Sequence, residues 1–89
     1  MTVQEKVKLL LPKLEILKNA PKSSDNKRWC FSLLHDALVF SGDRLDNIDP
    51  MSFVAFIELT SHSVSDPNPN PKAVHNDLVR LGFWIREMN

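Results

Sequence analysis

The side chains of this 89-residue chain that are able to do chemistry are scattered rather than clustered. Cys30 offers a thiol, His35, His62 and His75 offer imidazoles, and Asp43, Asp46 and Asp49 recur every three residues ahead of Pro50. Carboxylates at that interval suggest a hard cation such as calcium. A helix-loop-helix calcium site, however, needs ligands at alternate positions, a central Gly and a closing Glu, and none of these follows here. Asp49 is better placed as a helix cap, which leaves Asp43 and Asp46 as an electronegative spot able to steer a basic partner.

Zinc chemistry needs closely spaced ligand pairs. Cys30 and His35 are five apart, and His62 and His75 are separated by a proline-rich stretch, so neither pair fits. Cys30 falls on the apolar side of its helix, where a thiol behaves as a small hydrophobe. His35 and Asp36 are neighbours, and neighbours on a helix point about 100° apart, a poor arrangement for a base and its orienting group. His75 and Asp77 become interesting only if the fold carries them to Glu58 or His62. Gly42 and Gly82 are the only glycines, too few for a phosphate-cradling loop. The expectation is a chain with no enzymatic role, no metal and no cofactor.

Binding is the remaining class of function. Val3, Val7, Leu10, Leu14 and Leu17 repeat at four-three-four-three spacing, and so do Val74, Leu78, Leu81, Ile85 and Met88. Each ladder draws one apolar seam along a helix and requires a packing partner. Such seams pack on the middle of the same chain, or they join two copies as a homodimer. On the last helix Val79 and Phe83 lie opposite the ladder, with Trp84 to one side and Arg80 between them. A helix apolar on two faces has one face left for another protein. Val79, Arg80, Phe83 and Trp84 are therefore the expected contact residues, with Asp43 and Asp46 as steering charges.

The formal net charge is zero, which removes the broad basic footprint of a protein that grips nucleic acid through phosphates. The zero conceals a segregation. Residues 1–28 carry seven basic side chains against three acids, whereas residues 29–66 carry Arg44 against six acids. Lys18, Lys22, Lys27 and Arg28 are the cluster that an alternative, nucleic-acid-binding reading would use, with the ladders forming a dimer.

The punctuation predicts how these residues are positioned: an all-α domain of four helices over 2–19, 25–41, 49–62 and 70–88, in a single domain spanning 1–89. Thr2 and Glu5 make a capping box. Pro12 predicts a kink near Leu11 or two shorter helical pieces. Asp25 is expected to cap the second helix, with Trp29, Leu33, Ala37 and Phe40 as its main stripe and Gly42 as its exit. Asp49-Pro50 and Asn70-Pro71 each place a cap before a proline at the first helical position. Residues 53–57 are apolar almost all round, which predicts that the third helix is central, a buried strand there being the alternative. No apolar run reaches the roughly 18–20 residues needed to span a bilayer, and Lys6, Lys8 and Lys13 interrupt any signal-like stretch. With one cysteine, the expected location is cytoplasmic, without membrane association.

Overall fold

The computed structural model describes residues 2–20 and 23–85, with the side chain of Asp43 outside that set. Lys22 and Met88 lie outside the described residues. The chain forms α1 (Val3–Lys18), α2 (Asp25–Ser41), a short 3₁₀ helix (Gly42–Asn47), α3 (Pro50–Ser65) and α4 (Pro71–Arg80). There is no strand among the described residues, so the segment 53–57 is helical.

The helix starts follow from local hydrogen bonding. Thr2 Oγ1 accepts from the Glu5 N–H at 3.2 Å, Asp49 from Met51 at 2.9 Å and Asn70 from Lys72 at 3.0 Å, each satisfying a backbone donor that has no partner within the helix. The cap of α2 differs from the expected one. Ser24, not Asp25, accepts from the Lys27 N–H, and Asp25 becomes the first-turn acid that suits the positive end of the helix. α1 runs through Pro12 without a break, so the two-piece alternative is excluded. Pro12 and Lys8, the residue whose carbonyl loses its intrahelical donor, are both exposed, so water can satisfy that oxygen.

Both apolar ladders turn inward within the one chain. Val7 and Leu14 are buried with Val3, Leu10 and Leu17 packed beside them, and Val74 and Leu78 are buried with Leu81 and Ile85 alongside. The helix around which the rest assembles is α2, which packs against α1, α3, α4 and the 3₁₀ helix. It contributes Cys30, Phe31, Leu33, Leu34, Ala37 and Leu38 to the core, while Trp29 and Phe40, expected in its main stripe, lie at the exposed margins. The third helix is therefore not the centre. It buries Phe53 and Phe56 but leaves Met51, Val54, Ile57 and Val64 exposed.

The last helix is shorter than its ladder implied. α4 ends at Arg80, where the Gly82 N–H donates to the Val79 carbonyl and the Phe83 N–H donates to the Leu78 carbonyl. This pair of bonds is the Schellman closure, and it requires the left-handed backbone that Gly82 supplies at φ 92°. Spacing alone carries a helix through residue 88, but one glycine turns the chain back after Leu81.

Candidate functional site

The turn at Gly82 decides which of the expected contact residues face outward. Phe83 follows the turn into the core: it is 3% exposed, and its ring centroid lies 4.9 Å from that of Phe56. It is therefore withdrawn from the contact surface, because the helix that would have aligned it with Val79 has already ended. Val79 precedes the turn and stays 55% exposed.

Trp84 is 54% exposed but is not loose. Its backbone N–H donates to the buried Ser41 Oγ at 3.0 Å, tying the segment after Gly82 to the end of α2. Its ring lies under the Arg44 guanidinium, whose carbon is 3.6 Å from the ring centroid. That stacking is favourable by about 0.5–1 kcal/mol at an exposed site. Gly42, at φ 49°, ends α2 and begins the 3₁₀ helix that carries Arg44 across to the indole. Asp46 is exposed on the same 3₁₀ helix.

Arg80 points elsewhere. Its guanidinium pairs with Asp77 at 3.2 Å, and both line an open groove of about 380 Å³ between α3 and α4. Ala55, Glu58, Leu59, His62 and Leu81 complete the lining. The fold thus brings Asp77 to Glu58 and His62, as the sequence suggested it could, while His75 is not part of the lining. Among the described residues no group of three or more His, Cys, Asp or Glu side chains converges as a metal site.

The other reactive candidates are occupied by the fold. Cys30 has no exposed surface, and burial, with a smaller effect from the negative charge of Asp66, pushes its thiol up to about 11. A buried thiol held in its protonated form is a poor nucleophile. His35 Nδ1 approaches Asp36 Oδ1 and Lys18 Nζ, each at 3.5 Å, nearer to Asp36 than helix geometry implied but at the limit of hydrogen bonding.

No family model, curated protein or solved structure matches this chain.

The basic cluster is largely committed inside the molecule. Lys27 Nζ donates to the Val64 carbonyl at 2.7 Å, where α3 ends, and Arg28 pairs with Asp25. Lys18 sits against His35, so each described member of the cluster contacts its own chain. Among the described residues no helix is long and apolar enough to cross a membrane.

Sequence reasoning missed Arg44 as the partner of Trp84, because nothing local links two positions so far apart. It also missed the turn at Gly82, for which the signal was present. A glycine flanked by Leu81 and Phe83 at the end of an amphipathic run is the pattern of a helix stop with an apolar closing contact.

Proposed function

We propose that this chain is a small non-catalytic regulator or inhibitor that acts by docking on another protein, with Trp84 as its anchor. One observation carries the reading: the indole is half exposed, its backbone N–H is held by Ser41 Oγ and its ring is stacked against the Arg44 guanidinium. An aromatic side chain immobilised before binding loses little further freedom on burial, and tryptophan and arginine dominate interface energetics. Val79, exposed on the last turns of α4, supplies a second apolar contact near the same end of the helix. Arg44 has no carboxylate partner among the described residues, so the fitting surface is an apolar pocket with a carboxylate at its rim. Asp46, next to it, remains available to steer approach.

The test is affinity capture from native cell extract with nuclease-treated wild-type protein, Trp84→Ala and Val79→Asp, all checked for folding by circular dichroism. Trp84→Ala gives up the cation–π contact, about 1 kcal/mol, together with the buried part of the indole, which is why its folding is checked before capture. The expected result is one stoichiometric protein that survives nuclease with the wild type and is lost with both variants. A partner retained by both variants refutes the anchor. Bound material that disappears with nuclease transfers the function to nucleic acid and to Lys18, Lys27 and Arg28.

A further inference from the structure

The groove between α3 and α4 gathers charged side chains that the Trp84 surface does not use. Its floor is apolar, formed by the partly buried Ala55, Leu59 and Leu81. Its walls are charged: Glu58 and His62 stand one turn apart on α3, and Asp77 and Arg80 stand three residues apart on α4. These charges do not cancel. Arg80 is committed to Asp77 Oδ1 at 3.2 Å, whereas Glu58 has no ion-pair or hydrogen-bond partner among the described residues. The α4 wall also belongs to the last turn of its helix, whose C-terminal end adds partial negative charge. With His62 counted as neutral, the groove sets two carboxylates and a helix C-terminus against one guanidinium.

We infer that this groove receives an arginine side chain from a protein partner. The inference rests on the docking reading above for the source of that side chain, and on the groove alone for its chemistry. The excess of carboxylate opposes an anion, and an apolar occupant would cover Glu58 without supplying a counter-charge. Among cations the guanidinium fits this lining best. It is planar and weakly hydrated, so it lies against the leucine floor while its N–H groups reach carboxylates on either wall, and its alkyl stem covers the apolar surface behind it. The volume of about 380 Å³ is near the lower end for sites that enclose a whole small molecule. Because the groove is open, its occupant must be held in place from outside, as a side chain on a docked protein is.

Arg80 makes the sign of the charge preference testable. In a site for an anion Arg80 would be the main attraction, and its removal would weaken binding. In a site for a cation it is the local repulsion and the competitor for Asp77, so its removal strengthens binding. His62 offers a second handle, because a lysine at that position stands four residues after Glu58 on the same helix and pairs with it, leaving the carboxylate present but occupied.

Titration of isotope-labelled protein with Nα-acetyl-arginine amide, followed by backbone amide chemical shifts, tests the inference, with Nα-acetyl-citrulline amide as the uncharged analogue. The arginine amide is expected to shift residues 55–62 and 77–81 with a Kd on the order of millimolar, and the citrulline amide to leave them in place. Glu58→Gln, at an exposed position, should weaken binding about fivefold, the effect of one unit charge at about 4 Å in water-like surroundings. His62→Lys should weaken it about twofold, and Arg80→Gln should tighten it about twofold. No shift with the arginine amide, equal shifts with the citrulline amide, or an Arg80→Gln that weakens binding overturns the inference. The probe is an amino-acid amide and not the captured partner, so a failed titration leaves the Trp84 anchor in place. A positive titration beside a failed capture overturns the protein source of the arginine.

Discussion

Gly82→Ala separates the observed ending of α4 from the longer helix that its ladder implies, because the two arrangements predict opposite signs. In the structure Gly82 sits at φ 92°, and a Cβ built on it meets nothing within 4 Å, so steric crowding plays no part. The cost is that of the left-handed backbone, about 1–2 kcal/mol for a residue with a Cβ. Alanine also restricts the unfolded chain, which offsets about half a kcal/mol and leaves a net loss of about 1 kcal/mol. For a domain of this size that is a drop in Tm of about 4–8 °C. If the helix instead continued through residue 82, the same substitution would remove a helix-interior glycine and stabilise by about 1 kcal/mol. Thermal unfolding followed at 222 nm reads the sign directly, and Gly82→Asn, which tolerates the left-handed region better, should fall between wild type and Ala. A Tm that rises with alanine, together with added helical signal, would refute the turn. The inward placement of Phe83 and the seating of Trp84 on Ser41 would fail with it.

Two further outcomes follow from the core and its ties. The Cys30 thiol is raised from 9.0 to about 11 by burial and then by Asp66, so the unfolded chain loses this proton before the folded chain does. Its stabilising contribution is complete below pH 9 and is lost as pH rises from 9 toward 11, by about 1.4 kcal/mol per pH unit within that window. Urea unfolding at both ends of the window should show a larger decline for wild type than for Cys30→Ala, and parallel declines would disprove the linkage. Lys27→Met keeps the aliphatic stem but removes the 2.7 Å bond to the Val64 carbonyl, and should cost about 1 kcal/mol in the same urea assay. An unchanged midpoint would show that water replaces the ammonium there at no loss.

The parts of this fold legible in the sequence are those fixed by short-range chemistry. Thr2, Asp49-Pro50 and Asn70-Pro71 act as read, because a cap and a following proline need only their own backbone. The shift from Asp25 to Ser24 exchanges one competent cap for its neighbour and leaves the helix where it was expected. Gly82 shows the limit of periodicity. A four-three ladder records which residues share a face, but it does not record the sign of φ, and Leu81 and Ile85 stay at the core edge although only the first part of the ladder is helical. Trp84 proves exposed as expected, yet through a turn rather than a helix face, and its pairing with Arg44 depends on a tertiary approach that no local pattern encodes.

A helix that is apolar all round offers two readings, burial in the middle of the protein or a surface awaiting a partner, and hydrophobicity alone does not choose between them. In α3 the buried face carries Phe53 and Phe56 together with Thr60 and Ser63, whose hydroxyls donate to carbonyls of the preceding turn and so enter the core at little cost. Charge bears on the same question from the other direction. Lys18 approaches His35 and Lys27 donates to the Val64 carbonyl, so two basic side chains of the first third tie α2 to α1 and to α3, while Arg28 pairs with Asp25 inside α2. Arg44, the lone cation of the acidic middle, is set against an indole instead of a carboxylate. The described members of the cluster that a nucleic-acid reading would use thus have contacts within their own chain, while Trp84 and Val79 stay about half exposed. On the proposed docking reading, recognition through Trp84 and Val79 rests on shape and burial rather than on net charge.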